Sequence, residues 1–257
     1  MLSADLSTAL LTAARADRLL VTSDFDGTVA PIVNNPPDAR ALPAAVAALN
    51  QLSTLPATTV GLISGRALAV LDQLAQASGI AAPAELVGSH GAEFAAGFGQ
   101  PVDTALLAQI TRGLSIIAAA YPGVTVETKP ASVALHVRRA SAADGESALD
   151  AARHANAEWQ AEVTSGKAVL EFAVIETDKG AAVDTLRRQS GATAVVYFGD
   201  DVTDEKAFTR LGSSDVGVKV GDGLTAARLR VPGPDGVAAA LRLLADARTE
   251  FIRAQRD

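Results

Sequence analysis

The sequence contains no cysteine, only 4% aromatic residues, and no uninterrupted apolar run of the ~18 residues that a membrane-spanning helix needs. The absence of cysteine excludes a disulfide scaffold, a thiolate zinc site, an iron–sulfur centre and a cysteine nucleophile. Basic residues are also outnumbered, because 22 Lys and Arg face 29 Asp and Glu, which gives a net charge of −7. General nucleic-acid binders normally present a basic face, so we expect neither a nucleic-acid nor a membrane partner.

The first residues give a prediction of localisation. Asp5 stands where a secretory signal peptide would carry basic residues. The stretch from Leu6 to Ala16 is apolar enough to pass for a short signal region, but the strand-like Leu19-Leu20-Val21 follows it at once. We therefore expect a cytoplasmic protein, and a monomer or weak oligomer.

Both ends of the chain alternate short Val/Ile/Leu-rich runs with longer amphipathic stretches. Strands that are apolar along their whole length and separated by helices are typical of a parallel sheet covered on both faces. This pattern predicts an α/β fold with a doubly wound sheet. The predicted strands are Leu19–Ser23, Thr58–Ile63, Glu85–Ser89, Ala194–Phe198 and Val216–Val220; the predicted helices are Leu42–Leu52, Ala67–Ser78, Gly180–Gln189, Thr203–Leu211 and Val237–Arg248.

The middle of the chain has a different hydrophobic pattern, in which polar and apolar residues alternate along short runs. One-sided strands in the order α-β-β-α-β-β predict a small sheet with helices on one face. The elements are helices at Thr104–Ala120 and Glu146–Ala157, strands at Val124–Thr128, Ser132–Arg138, Ala161–Thr164 and Ala168–Ala173, and a hairpin turn at Ser165-Gly166-Lys167. We predict a discontinuous core of residues 1–98 and 177–257, with residues 99–176 as an inserted domain.

Two acidic motifs directly follow predicted strands. Asp24-Phe25-Asp26-Gly27-Thr28 comes after the first strand, and Gly199-Asp200-Asp201-Val202-Thr203-Asp204-Glu205 comes after Ala194–Phe198. The carboxyl ends of parallel strands form the crevice in which such sheets bind ligands. Clustered carboxylates repel one another unless a cation lies between them, and an all-oxygen ligand set favours Mg²⁺ over zinc. Capping of a helix N-terminus is a sufficient role for Glu205 but does not account for Asp200.

Two further segments carry groups that suit a phosphate. Ser64-Gly65-Arg66 follows the strand Thr58–Ile63, and Asp178-Lys179-Gly180 begins a predicted helix. A Ser at the end of a strand and a Lys at the start of a helix are each common in proteins for reasons unrelated to phosphate. Together they supply a hydroxyl, backbone N–H groups and a fixed cation, which is the set that a phosphoryl group requires.

These motifs, taken in order, resemble those of the haloacid dehalogenase-like (HAD) phosphatases. The matching residues are Asp24-x-Asp26-x-Thr28, Ser64, Lys179 and Gly199-Asp200-Asp201-x-x-Asp204, and the similarity spans nearly the whole chain. It implies a Rossmann-like HAD core, with a type C2 α+β cap inserted between Ser64 and Lys179.

Within that superfamily the sequence is most similar to the trehalose-6-phosphate phosphatases. The similarity rests on Ser64-Gly65-Arg66, on Gly88-Ser89-His90-Gly91-Ala92-Glu93, on the segment from Glu127 to Arg138, and on Glu171. One departure is the pair Ala173-Val174, which stands where the family often has Arg-Pro. This difference concerns one substrate or hinge contact and leaves the motifs for the chemistry intact.

The resemblance implies a Mg²⁺-dependent phosphomonoester hydrolase that converts trehalose 6-phosphate to trehalose and phosphate through a phospho-aspartate. In this interpretation Asp24 is the nucleophile and Asp26 the general acid and base. The remaining implied roles are catalytic assistance from Thr28, Ser64 and Lys179; metal binding by Asp24, Asp26 and Asp200; orientation of these groups by Asp201 and Asp204; and substrate binding by Arg66, His90, Glu127, Lys129, His136, Arg138 and Glu171.

Three alternatives remain open. A related phosphatase could act on sucrose phosphate, mannosylglycerate phosphate or a hexose phosphate, since only the cap residues distinguish the substrates. From periodicity alone, Glu127, Lys129, His136 and Arg138 would form an exposed ion-paired surface on adjacent strands. A non-catalytic phospho-acceptor domain also combines strand-end Asp residues, Mg²⁺ and a Lys, but it is shorter, has no inserted domain, and needs no second carboxylate at the position of Asp26.

Overall fold

The protein is described by a computed structural model that covers residues 2–81, 84–176 and 178–255. It divides into two compact units, one of residues 1–96 and 178–257 and the other of residues 97–177. The second unit differs by at most two residues from the predicted inserted domain of residues 99–176. Thr177, where the second core segment was predicted to begin, lies outside the described residues.

The first unit contains a six-stranded sheet in which every neighbouring pair is parallel. Numbered along the chain, its strands are β1 Leu19–Ser23, β2 Thr58–Ile63, β3 Ala84–Val87, β10 Ala194–Gly199, β11 Val216–Val220 and β12 Leu229–Val231, and a short β4 spans Glu93–Phe94. The sheet order is β12-β11-β10-β1-β2-β3. The strand order reverses between β1 and β10, so their carboxyl ends form the switch-point crevice of a doubly wound sheet.

Helices cover both faces of this sheet, which confirms the predicted α/β class. They are α1 Ala4–Ala13, α2 Pro43–Ser53, α3 Leu68–Ser78, α6 Lys179–Ser190, α7 Glu205–Phe208 and α8 Pro234–Ala254. Successive strand residues face opposite sides. Leu19 and Val21 therefore pack in one core with α1, α2 and α8, while Leu20 packs in a second core with α6 and α7.

The observed boundaries correct several predictions for this unit. Helix α1 and strand β12 were not predicted, and α8 begins at Pro234 rather than at Val237. Strand β3 ends at Val87 because the chain then turns through Ser89 and His90, both of which have positive φ. The helix predicted over Thr203–Leu211 is a 3₁₀ turn, Val202–Asp204, followed by the short α7.

The second unit contains an antiparallel sheet with helices on one face, which confirms the predicted α+β character. Its elements are β5 Gly97–Phe98, α4 Thr104–Ala120, β6 Thr125–Thr128, β7 Ser132–His136, α5 Ala142–Trp159, β8 Glu162–Gly166 and β9 Val169–Ala173. The main sheet has the order β6-β7-β9-β8. Ile110 and Leu114 of α4 pack with Ala148 of α5 against Val133 and Phe172 of the sheet.

Several boundaries in this unit differ from the prediction, and α5 begins at Ala142 rather than at Glu146. Strand β7 ends at His136 rather than at Arg138, because a turn closed by the hydrogen bond from Ala140 N to Val137 O follows it. The hairpin turn lies between Gly166 and Val169, with Ala168 at a positive φ, rather than over residues 165–167. Among the described residues, every helix is too short or too polar to cross a bilayer.

Candidate active site

The first acidic motif lies at the carboxyl end of β1, beside β10. Asp24 continues the parallel pairing by donating its N–H to the Phe198 carbonyl at 2.9 Å. Gly27 then turns the chain at φ +83°, and Gly27 N donates to the Ala30 carbonyl at 2.7 Å. A Cβ at Gly27 would lie 2.2 Å from Asp200 Oδ2, so glycine is required for the two strand ends to approach each other.

A network of buried polar side chains joins the two acidic motifs. Lys179 Nζ donates to Asp24 Oδ1 at 2.9 Å and to Asp204 Oδ1 at 2.7 Å. Thr28 Oγ1 donates to Asp200 Oδ1 at 3.1 Å. Asp24, Thr28, Lys179 and Asp204 are each at most 5% exposed. The structure therefore brings together five residues that the sequence placed in the site.

Two carboxyl groups of this network, Asp24 and Asp200, have raised pKa values, as expected when carboxylates are buried close together. Burial raises the pKa of Asp24 well above its ordinary value; Lys179 opposes this rise, and the Asp204 and Asp200 carboxylates add to it. Burial and the neighbouring Asp204 raise the pKa of Asp200 to about 6. Burial alone would lower the pKa of Lys179, but the Asp204 and Asp24 carboxylates raise it, so the ammonium group stays charged.

The donor set of this cluster fits a divalent metal ion with oxygen ligands. One oxygen from each of Asp24, Asp200 and Asp204 lies within 4.8 Å of the others. Lys179 Nζ pairs with two of these three carboxylates, Asp24 and Asp204, so an added cation would relieve the repulsion that remains. Asp204 is already engaged, because its Oδ1 accepts from Lys179 and its Oδ2 accepts from Asp201 N at 2.9 Å. Asp24 and Asp200 are therefore the better placed ligands.

Asp26 has a different partner from the other carboxylates. Arg66 donates to it in a bidentate arrangement, from Nε to Oδ2 at 2.7 Å and from Nη2 to Oδ1 at 2.6 Å. The Asp26 and Arg66 side chains are 27% and 18% exposed, so the pair lies at the surface of the site. Arg66 was predicted to bind substrate, and here it holds the predicted acid–base residue in a fixed orientation.

The loop that follows β2 is hydrogen-bonded to, and packed against, the loop that follows β3. Ser64 Oγ accepts from Arg66 N at 3.2 Å, and the Ser64 carbonyl accepts from His90 N at 2.9 Å. The His90 ring lies directly against Gly65. Glu93 Oε2 accepts from Ser89 Oγ and from Leu68 N, so it ties the two loops to the start of α3. The motif from Gly88 to Glu93 therefore positions the Ser64–Arg66 segment.

Two buried residues of this site were not predicted. Tyr197 of β10 donates its hydroxyl to Asp204 Oδ1 at 2.7 Å. Lys219 of β11 donates to the Asp200 carbonyl at 2.6 Å and forms an ion pair with Glu205 at 3.5 Å. In the sequence, Tyr197 resembles any core aromatic residue of a strand. Lys219 carried one signal, a lone charge within the apolar run Val216–Val220.

The second unit carries a separate group of the predicted residues on the sheet face opposite its helices. Lys129 Nζ donates to Glu171 Oε2 at 2.7 Å, and Ser132 Oγ donates to Glu171 Oε1 at 2.6 Å. His136 Nε2 lies 2.9 Å from Glu127 Oε2, and this hydrogen bond lowers the pKa of Glu127. Ser132 is a member of this polar group that the sequence did not single out.

Arg138 does not lie on that strand face. It follows the end of β7 and lines a cavity of about 530 Å³ together with α5 and the β8–β9 turn. The alternation that grouped Arg138 with His136 in the sequence ends with the strand. The role of Arg138 in substrate binding stays a prediction.

Comparisons with known proteins agree with this geometry. The family profile described as trehalose-phosphatase matches residues 22–227. A trehalose-phosphate phosphatase of Mycobacterium avium (strain 104) is 36% identical over 244 residues, which cover 87% of this chain and 61% of that protein. The chain thus spans about three fifths of the length of this curated relative.

Solved structures share the fold. The C-terminal domain of a C. albicans trehalose-6-phosphate phosphatase superposes with a TM-score of 0.81 at 23% identity, over 95% of this chain and 97% of that one. A haloacid dehalogenase-like hydrolase from Bacteroides thetaiotaomicron gives a TM-score of 0.65 at 14% identity, over 88% and 98%. At these identities the likeness concerns the fold and supports the HAD-like architecture.

Proposed function

The chain belongs to the trehalose-phosphatase family, and from this premise we propose that it hydrolyses trehalose 6-phosphate to trehalose and inorganic phosphate. The named relatives support this choice of substrate over sucrose phosphate or mannosylglycerate phosphate. A purely phospho-accepting role is disfavoured because Asp26, held by Arg66, supplies an acid–base group that such a role does not need.

The observation that carries the proposal is the placement of Asp24. Its carboxylate lies at the switch point of the sheet, with Lys179 Nζ at 2.9 Å. We infer that the second carboxylate oxygen attacks phosphorus while the P–O bond to the sugar breaks, which forms an acyl phosphate on Asp24. Lys179 neutralises charge on the transferring oxygens. Ser64 accepts from Arg66 N and keeps its own hydroxyl hydrogen to donate to the phosphoryl group.

Asp26 is the group that moves the proton. As an acid it protonates the departing sugar oxygen, and as a base it then accepts a proton from the water that hydrolyses the acyl phosphate. The two hydrogen bonds from Arg66 hold its carboxylate in place for both steps. Asp24 itself is regenerated when phosphate leaves.

A Mg²⁺ ion would be held by the Asp24 and Asp200 carboxylates and, as the family resemblance implies, by the Asp26 carbonyl. It would supply the charge neutralisation that lets an anionic nucleophile approach an anionic phosphate. The residues around these ligands are arranged to keep them in position. Thr28 fixes Asp200 through its hydroxyl, and Lys219 fixes the Asp200 main chain.

The second unit is proposed to recognise the sugar. Glu127, Lys129, His136 and Glu171 present charged donors and acceptors on one sheet, as recognition of a hydroxyl-rich ligand requires. A sugar lacking the matching hydroxyls would leave these groups unpaired, which is a strong basis for discrimination.

Phosphate release tests the proposal. The purified chain is incubated with trehalose 6-phosphate, sucrose phosphate and glucose 6-phosphate, with Mg²⁺ or with EDTA, and Asp24→Asn serves as the inactive control. We expect release from trehalose 6-phosphate at the highest kcat/KM, only with Mg²⁺ and only with Asp24 intact. A clear preference for another sugar phosphate would refute the substrate assignment, and full activity in EDTA would refute the metal requirement.

A further inference from the structure

Asp204 is a fully buried carboxylate whose acceptor positions are occupied from three directions. Its Oδ1 accepts from Lys179 Nζ and from the Tyr197 hydroxyl, both at 2.7 Å, and its Oδ2 accepts from Asp201 N at 2.9 Å. A buried charge is stable only when it is paired and hydrogen-bonded. The hydroxyl of Tyr197 and the amide of Asp201 therefore fix the carboxylate to which Lys179 is anchored.

Lys179 depends on this anchor for its position. A lysine side chain has four rotatable bonds and a compact ammonium with no preferred orientation. Here Nζ is shared between Asp204 and Asp24. Any displacement of the Asp204 carboxylate therefore displaces the ammonium relative to the Asp24 oxygens.

Tyr197 is itself held rigidly. It lies on β10 within the sheet, is 0% exposed, and packs edge-on against Phe208 with the ring centroids 5.6 Å apart. Gly199, at the end of the same strand, has no side chain. An added Cβ there would lie 2.3 Å from Asp204 Cγ, so glycine leaves the space that the Asp204 carboxylate occupies. Packing in this apolar cluster requires only an aromatic ring. The hydroxyl therefore needs a separate explanation.

We propose that Tyr197 is a positioning residue for catalysis, which aims Lys179 at the nucleophile Asp24 by holding Asp204. Burial and the Asp204 charge raise the pKa of Tyr197 well above its ordinary value, so its hydroxyl remains a hydrogen-bond donor throughout the working pH range. The Tyr197 hydroxyl bonds to Asp204, so its proposed role is exerted through that carboxylate. This inference rests on the proposed phosphoryl transfer but not on the identity of the sugar.

The variant Tyr197→Phe removes the hydroxyl and retains the ring, and Tyr121→Phe is the matched control because the chain has only two tyrosines. We expect Tyr197→Phe to lower kcat about tenfold or more, the usual effect of losing one hydrogen bond to a charged group, with KM changed less than about twofold. Tyr121→Phe leaves both constants unchanged. Unchanged kcat in Tyr197→Phe, or a change confined to KM, would overturn the proposal.

The assay uses p-nitrophenyl phosphate beside trehalose 6-phosphate, so that a wrong sugar assignment and a wrong role for Tyr197 give different results. Activity towards p-nitrophenyl phosphate alone would contradict the proposed substrate and leave the comparison of tyrosine variants valid. In an Asp204→Asn background, Tyr197→Phe is expected to have little further effect, because both changes interrupt one chain of contacts. If the two substitutions instead lower kcat by the product of their separate effects, Tyr197 acts independently of Asp204, which would contradict the proposal.

A spectroscopic measurement tests the same contact without turnover. Biosynthetic replacement of both tyrosines by 3-fluorotyrosine gives two ¹⁹F resonances, and Tyr121→Phe assigns them. We expect Lys179→Met to shift the resonance of position 197, since both side chains share Asp204 Oδ1. Lys167→Met, which changes an exposed lysine of the second unit, leaves that resonance unmoved. If the chemical shift at position 197 is the same in Lys179→Met as in the wild type, the proposal is contradicted.

Discussion

The two carboxylates of the Asp-x-Asp motif lie two residues apart in the chain but have opposite surroundings. Asp24 is buried among like charges with one ammonium beside it, whereas Asp26 is partly exposed and paired with a guanidinium. Different environments give neighbouring carboxylates different chemical roles. In the proposed mechanism the Lys179 ammonium holds Asp24, the nucleophile, and the Arg66 pair orients Asp26, the acid–base group.

Replacing Arg66 by Lys tests the orientation of Asp26. Lysine keeps the positive charge but cannot form the bidentate pair. We expect kcat for trehalose 6-phosphate to fall by about tenfold or more, and the loss with p-nitrophenyl phosphate to be smaller, because its leaving group needs little protonation. The control is Arg242→Lys on exposed α8 surface. A rise in KM alone would instead favour Arg66 as a substrate contact.

The carboxylate cluster also predicts a pH dependence of stability in the metal-free protein. The folded pKa of Asp200, about 6, lies above the ordinary value of 3.8. The folded state therefore binds more protons than the unfolded state between these values, and this group makes stability fall as pH rises from about 4 to 6. Thermal melts in EDTA should show that decrease relative to Asp200→Asn.

Mg²⁺ gives the complementary measurement. The rise in melting temperature on adding Mg²⁺ should be larger at pH 7.5 than at pH 5, because protons compete with the ion for the carboxylates. A stabilisation by Mg²⁺ that does not depend on pH would contradict the assignment of Asp200 as a ligand.

At the scale of secondary-structure elements, α8 is joined to the sheet by a buried arginine. Arg248 is 1% exposed and donates to the carbonyls of Ala14, Ala16 and Ala57 and to Thr58 Oγ1. These acceptors lie just after the last residue of α1 and at the start of β2. One guanidinium thus satisfies several carbonyl groups where three elements meet.

Replacing Arg248 by Met should destabilise the fold by about 3–5 kcal/mol, because several buried carbonyls would lose their donor. Chemical denaturation measures the change, and Arg242→Met, on the exposed side of the same helix, is expected to stay within about 0.5 kcal/mol of the wild type. A loss below about 1 kcal/mol for Arg248→Met would mean that water replaces the guanidinium.

The sequence predicted most strands and the strand-end motifs, but it missed α1, β12 and the contacts of two buried side chains, Arg248 and Tyr197. The strand-end motifs and apolar strands were readable because burial on both faces makes each strand apolar throughout. Arg248 resembled the charged end of an amphipathic helix, and Tyr197 resembled a core aromatic. The partners of Arg248 lie far away in the chain, at Ala14 and Ala57, whereas the partner of the Tyr197 hydroxyl, Asp204, lies seven residues on, beyond the end of the strand. Spacing and periodicity carry no information on such pairs.

At the scale of the whole molecule, the candidate residues are divided between the two units. The unit with the parallel sheet contains Asp24, Asp26, Lys179 and Asp200, and the inserted unit contains the polar group around Glu171. The change in pattern between the two kinds of sheet is the sequence signal from which an inserted domain is predicted. It follows that chemistry and sugar preference should respond to different substitutions.

Lys129→Met tests this separation of roles. The change removes the donor to Glu171 and a cation from the polar face. We expect KM for trehalose 6-phosphate to rise about tenfold or more, while kcat/KM for p-nitrophenyl phosphate, which has no sugar, changes less than about twofold. Lys167→Met, at an exposed turn of the same unit, serves as the control. Equal losses on both substrates would contradict a dedicated role in sugar binding.

The central claim is that Asp24 carries the phosphoryl group during turnover. Acid quenching of the enzyme within its first turnover of trehalose 6-phosphate, followed by peptide mass spectrometry, tests this claim directly. We predict one added phosphoryl group on the peptide that contains Asp24, its loss when Asp24 is replaced by Asn, and its accumulation when Asp26 is replaced by Asn and p-nitrophenyl phosphate is the substrate. Rapid turnover with no phosphorylated peptide, or turnover retained in Asp24→Asn, would contradict the account.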